Sequence, residues 1–595
     1  MDSHHGWAGK LESYFCLVGG ISTCWSYGEE APRLAQPVQD CFSQFLGICF
    51  VIPPEAKGGI FGFSEFVQAF ALLVLIFTVT GVRYQFRVDT APIRLWLVSY
   101  CIAGAIGITA LASDLWFSQR YPLPSFLSVQ AYWQAFLGFS FLLLTLIWLW
   151  FAYIRPPKFG KRNAYAYTRA VYRHVMQGGE SDLPVIADEL GRSAKSIVAF
   201  ASETNGAKSD KPSPENYARD LLLIIGNRRF CKHVAASAPY TAIALFRAVE
   251  ENKSYHIPFF QFAAALSTEA ILNKDSLLYH EEAGFYSGYL GYTRPFTNSV
   301  YGSFPFIEAL ASNGNSPLDI DLEVRWNFDS QQLEAYTRAV LTTFKSALAN
   351  DYFYENSTPL NRAFDVIQSS CSDLYRIDEG ITQVEKSEIL AKLRAVVRFV
   401  NNLIKAMEDA GIKQTVLRRH NESWKWHKDF YDVVADLIFE IIGSASSVKT
   451  SDFDNWSVQH NYLWSAIFNW DSSPTRKIIT FKVRRLLYDE IKSLRTLPNF
   501  QNAKYFGFCL NVLGLKVGEK RDHRRHEYQL RKAVIAFATE NYLSLRDRQP
   551  KVAAAVLMGT ISFDDSTRQL VKTYAEGLDL VAPTEKLDLL PPSAS

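Results

Sequence analysis

Residues 131–154 read AYWQAFLGFSFLLLTLIWLWFAYI, a run without a charged side chain. As a helix rising about 1.5 Å per residue, it is long enough to span a hydrocarbon layer of about 30 Å. Two apolar runs precede it. Phe66–Val82 (FVQAFALLVLIFTVTGV) extends back to Ile60 when Glu65 sits at the headgroup level. Leu95–Ser113 (LWLVSYCIAGAIGITALAS) is uncharged between Arg94 and Asp114, and Ala103, Gly107 and Ala110 recur at helical spacing, which lets this helix approach its neighbours. The alternative, a buried helical hairpin in a soluble core, is disfavoured because three such runs between 60 and 154 are hard to cover without lipid. The expectation is a three-helix transmembrane anchor with spans at about 60–82, 95–113 and 131–154.

Charges beside the runs orient them. Arg83, Arg87 and Arg94 follow the first run; Arg155, Lys158, Lys161 and Arg162 follow the third; the connection after the second carries Arg120 beside Asp114. Short loops rich in Lys and Arg stay in the cytoplasm. The N-terminus is therefore expected outside the cell membrane and the large remainder in the cytoplasm, an integral, multi-pass arrangement. Trp148, Trp150 and Tyr153 mark the cytoplasmic interface of the third span.

The 595 residues are 48 % hydrophobic and 14 % aromatic, with a formal net charge of +2, a balance that does not favour a nucleic-acid partner. Cys16, Cys24, Cys41 and Cys49 all precede the first run. On an oxidising side they can form two bridges in three pairings; the bland reading is four small buried apolar residues. Residues 1–59 hold two half-length apolar patches, Tyr14–Trp25 and Phe42–Pro53, suited to an extracytoplasmic mini-domain or to interfacial helices, and no secretory signal pattern opens the chain.

After Pro156 and Pro157 the pattern becomes mainly helical. A cytoplasmic helical domain is expected over 155–380, beginning with a basic, Tyr-rich helix at Asn163–Gln177 and interrupted by a loop and strand insertion at 273–329. Within that insertion Leu318–Phe328 (LDIDLEVRWNF) alternates apolar and polar residues, the signature of a half-buried strand. A C-terminal helical domain follows over 381–581, with a capping pair Thr382 and Glu385, a seam of Ile389, Leu393, Val396, Val400, Leu403 and Met407, and Gly411 as a left-handed stop. The tail 582–595 has the composition of a disordered segment.

No phosphate loop, zinc-protease, nucleophile-elbow or dinucleotide motif occurs, and no cofactor or metal is expected. Three weaker constellations remain. Asp319 and Asp321 form a D-x-D, more simply read as a solvated strand face than as a metal site. Asp275, His280, Glu281 and Glu282 place a histidine among carboxylates, a pattern able to do acid and base work, with Tyr286, Tyr289 and Arg294 as nearby ligand-binding candidates; an ordinary structural loop accounts for them too. Basic residues interleaved with tryptophan, Arg418, Arg419, Trp424 and Trp426, and the pair Arg524 and Arg525, suit nucleic acid or lipid headgroups, or a solvated surface.

The leading functional expectation is a non-enzymatic sensor or effector. Its cytoplasmic region binds a protein partner, a second copy or a ligand and acts through the membrane helices, as in a bacterial antiviral-defence or stress protein. The alternatives are an oligomeric channel or transporter subunit, hampered by spans without internal ionisable residues, and a membrane-tethered enzyme using the His280 and Glu281 loop.

Overall fold

The run at 131–154 forms the helix Gln130–Leu149 (α4), carried through Ile154 by a wider π turn, Trp150–Ile154. The computed structural model describes residues 41–45, 48–53, 61–79, 81–125, 128–203, 213–253, 255–281, 285–287, 291–352, 357–377, 383–412, 428–450, 452–468, 473–517, 527–574 and 582–591. Over these the chain is mainly helical with small antiparallel sheets. It divides into two compact units, Met1–Ala71 with Ala103–Leu142, and Leu72–Ile102 with Leu143–Ser595.

Among the described residues, two helices are long and apolar enough to cross a membrane, Leu95–Ser118 (α3) and Gln130–Ile154, and only 28 % of each apolar window is covered by protein. That exposure separates them from the core helices of a soluble protein, whose apolar faces are buried. The first run falls short of the three-span expectation. It forms a helix of 17 residues, Phe63–Val79 (α1), and extended backbone at Gly81 then starts a separate helix, Val82–Asp89 (α2), that buries Phe86, Arg87 and Val88. Arg83 and Arg87, read as loop charges, thus lie on a packed amphipathic helix.

In the first unit the small residues of α3 do what their spacing predicts. Ala103 and Ala110 are buried, and a Cβ on Gly107 would stand 2.5 Å from the Phe66 ring. The Asp114 carboxylate accepts from the Phe63 amide at 2.7 Å and the Glu65 carboxylate from the Gly62 amide at 2.9 Å, so two acids cap the start of α1. The segment Phe42–Pro53 is not helical where it is described. It forms strands Ser43–Phe45 (β1) and Ile48–Val51 (β2) closed by a Cys41–Cys49 disulfide, and β2 pairs with Leu123–Pro124 (β3) in the connection between α3 and α4. Cys16, Cys24 and the patch Tyr14–Trp25 lie outside the described residues.

The second unit is built on one continuous apolar core running from Phe86 to Leu570. Proline opens several helices of this unit. Leu183–Ser202 has Pro184 in its first turn, and Pro214–Ile225 and Pro239–Asn252 both begin on proline, the residue tolerated where the amide has no acceptor. The seam from Leu393 to Met407 is buried in the same chain, on the helix Glu388–Asp409, and Gly411 adopts φ +62° just beyond it. That helix starts later than expected, capped by the Ser387 hydroxyl, which accepts from the Leu390 amide; Thr382 lies outside the described residues.

Two expectations are overturned. Leu318–Phe328 is not a strand: it holds a single helical turn, Leu322–Arg325, with Leu322 and Trp326 exposed although Leu318, Ile320, Val324 and Phe328 are buried. The alternating polar residues are turn caps. The Asp319 carboxylate accepts from the Ser316 amide and hydroxyl and pairs with Arg362, while Asp321 accepts from the Glu323 amide and faces Arg228. Nor is the end of the chain disordered where it is described. Thr584–Asp588 pairs antiparallel with Gln569–Thr573, which in turn pairs with Ile561–Asp564, giving a three-stranded sheet in a region read as helical.

Candidate functional site

The arginines flanking α1 and α3 and the tyrosine-rich helix after α4 come together in the second unit. The helix Ala164–Gln177 (α5) presents Tyr165, Arg169, Arg173 and His174 to an open hollow of about 900 Å³. Its other wall is the end of α2, with Gln85 and Asp89, and the first turn of α3, with Arg94 and Trp96. Both walls are anchored. The Asn163 side chain, at the start of α5, donates to the Thr90 carbonyl at 2.7 Å, and Phe86 of α2 sits edge-on against Tyr167 at 5.3 Å. The volume falls within the range of small-molecule sites, about 300–1,000 Å³.

The hollow is electropositive. Three guanidiniums face it against the single carboxylate of Asp89, which Arg173 already holds at 2.6 Å. Arg94 and Arg169 are exposed and have no carboxylate at ion-pair distance among the described residues. Burial first, then Arg173 beside it, lowers the pKa of His174, so its imidazole is neutral near pH 7. Comparison of the chain with protein-family models, curated proteins and solved structures gives no match in any of the three.

α2 is clamped beneath the hollow by a buried ion pair. Arg87 meets the Glu189 carboxylate of the helix Leu183–Ser202 at 2.7 Å, with side-chain exposures of 7 % and 4 %, and also donates to the Ala152 carbonyl in the π turn that ends α4. Arg83 and Arg192 approach the same carboxylate at 3.7 and 3.6 Å.

The residues singled out in the sequence fare differently. Asp275 and His280 are exposed at the ends of a short turn and one-turn helix. Glu281 is buried, and both its oxygens cap the helix Pro295–Tyr301: they accept from the Phe296 amide at 2.8 Å, the Thr297 amide at 3.0 Å and the Thr297 hydroxyl at 2.9 Å. That is a structural occupation, and it leaves His280 without an adjacent free carboxylate from Glu281. Tyr286 belongs to a two-stranded hairpin, Phe285–Ser287 with Gly291–Thr293, and Arg294 immediately precedes the capped helix. Glu282, Tyr289, Arg418, Arg419, Trp424, Trp426, Arg524 and Arg525 lie outside the described residues.

A second polar cluster is structural. The Asn511 amide donates to Gln459 at 2.9 Å and Asn455 at 3.3 Å, and its oxygen accepts from the Thr560 amide and hydroxyl. Gln459 sits on a π-helical segment, Ser457–Trp464, a geometry frequent at functional sites. Here every partner is engaged: Asn455 donates to the Val448 carbonyl and Gln459 to the Ala445 carbonyl.

Beside the cluster Lys572, 1 % exposed, donates to the Asn511 carbonyl in the last turn of the helix Phe500–Leu513. Burial lowers its pKa from 10.5 to about 8, against the pull of Glu585. Between these two values the folded chain binds fewer protons than the unfolded one, so this group's contribution to stability rises with pH across the window. Relative to wild type, Lys572→Met is expected to gain most at neutral pH, with a difference of about 3 kcal/mol that disappears as the pH passes 10. Melting temperatures of the pair measured from pH 7 to pH 10.5 test this; a gap that stays constant removes it.

Proposed function

We propose that this chain is an integral membrane protein whose helical second unit binds a ligand or partner on the cytoplasmic side and acts through the apolar helices, as a sensor or effector. One observation carries the reading. The candidate cavity is walled on one side by the first turn of a helix fit to cross a membrane and on the other by the helix α5, so an occupant touches both at once. A binding event there has a direct mechanical route to the span, because the contacts differ between the filled and empty states.

In this reading α1, short as it is, makes a third crossing with help from flanking residues. Sidedness follows from two further supports. The Cys41–Cys49 bridge suits an oxidising compartment and is hydrogen-bonded through β2 to the α3–α4 connection. Arg94 lies at the start of α3, and Arg155 and Lys158 follow α4, where cytoplasmic charge belongs. Protease treatment of sealed vesicles is the test. The second unit is expected to be digested in inverted vesicles and protected in right-side-out ones. The opposite pattern, or recovery of the chain in the aqueous fraction after carbonate washing, overturns the reading.

A further inference from the structure

The hollow between α2, α3 and α5 is a site for a phosphate group, we infer, carried either by an anionic lipid headgroup or by a free phosphate monoester. The inference deepens the functional reading above and rests on it only for the lipid source.

Uncompensated charge is the first ground. Arg94 and Arg169 reach the hollow from opposite walls, and neither has a carboxylate partner among the described residues, whereas Asp89 and Arg173 satisfy each other. Both line the same hollow, so an anion bound there would meet positive charge on either wall. The second ground is the start of α3. Its first turn holds no acidic residue, and the amides of Trp96 and Leu97 fall among those a helix start leaves without an intrahelical acceptor, at the positive end of the helix.

These donors come from two elements, the start of α3 and the helix α5. A carboxylate is satisfied by one bidentate arginine; a phosphate offers three or four oxygens around a tetrahedral centre and matches a divergent donor set. The wall also exposes Trp96 and Tyr165, at 57 % and 54 %, amphipathic rings of the kind that settle at a headgroup layer. Basic pockets beside the cytoplasmic ends of spanning helices are where anionic headgroups are held.

The test uses the full chain in detergent micelles and follows its unfolding midpoint during titration with short-chain phosphatidic acid, glycerol 3-phosphate and inorganic phosphate. Phosphatidylcholine and chloride at equal ionic strength are the controls. Arg94→Gln with Arg169→Gln is the variant in the site; Arg155→Gln with Lys158→Gln lowers basic charge by the same amount outside it.

A saturable rise with phosphatidic acid is expected, and the Arg94/Arg169 variant should bind it roughly a hundredfold more weakly, while the Arg155/Lys158 variant keeps the wild-type response. A rise with phosphatidic acid alone assigns the site to a lipid headgroup. A rise with all three phosphates assigns it to a free phosphate monoester. The inference is overturned by the absence of any rise, by an undiminished rise in the Arg94/Arg169 variant, or by equal losses in both variants, which would be bulk charge attraction. Micelles carry no sidedness, so a failure of the membrane orientation leaves this result standing, and failure here leaves the vesicle result standing.

Discussion

Replacing Glu189 by alanine is expected to lower the stability of the second unit by about 3–5 kcal/mol. The Glu189 carboxylate meets Arg87 at 2.7 Å, with Arg192 at 3.6 Å and Arg83 at 3.7 Å, and Arg83 also pairs with the Asp188 carboxylate at 2.7 Å. Loss of Glu189 leaves the Arg87 guanidinium buried and uncompensated, with only the Ala152 carbonyl at 2.8 Å to receive it. Removing both partners is a different matter. Arg87→Met with Glu189→Leu fills the same space with apolar groups and should recover most of the loss, because desolvating the pair offsets much of its attraction. The measurement is the melting temperature of each single variant and of the double variant. A loss below about 1 kcal/mol for Glu189→Ala would mean that the pair behaves as an exposed bridge and does not clamp α2.

Asn511→Leu is the second large effect. The substitution keeps the branch at Cγ but removes four hydrogen bonds, stranding the side-chain oxygens of Asn455 and Gln459, which are 2 % and 0 % exposed, and the Thr560 amide and hydroxyl. Each fully buried acceptor left without a donor costs about 1–3 kcal/mol. Non-additivity is the signature to look for. Adding Gln459→Met and Asn455→Leu to Asn511→Leu should cost less than the three single changes summed, since an apolar cluster leaves fewer groups unsatisfied. Strict additivity would show that the three amides do not act as one network.

Local signals were the legible part of this fold. Proline at 184 and 239 marks helix starts, and Gly411 marks a stop, because the backbone conformation each imposes is decided within a few residues. The strand reading of Leu318–Phe328 failed at the same scale. Asp and Ser side chains that bond to nearby backbone compete with the sheet, and their period-two placement imitates an exposed strand face. What strand pairing creates was not legible. The sheet of Gln569–Thr573 with Thr584–Asp588 joins short, polar strands that are ordinary loop sequences by composition.

The candidate site divides in the same way. Its charges were visible, Arg94 as a flank of an apolar run and Arg169 and Arg173 within a basic, tyrosine-rich helix. Their convergence depends on α2 docking through Phe86 and on Asn163 reaching Thr90, contacts between residues far apart in the chain. The His280 cluster stood out in the sequence because its residues are adjacent, yet in the fold the Glu281 carboxylate turns inward to a helix start.

The strand Thr584–Asp588 bears on how the molecule tolerates trimming. Its Glu585 carboxylate receives the Leu515 amide at 2.8 Å and offsets the charge on Lys572, and its backbone covers the neighbouring strand that carries buried Leu570. Shortening the chain at residue 581, which its polar, proline-bearing final segment invites, would open a raw sheet edge beside an unneutralised amine and trade a soluble end for a sticky one.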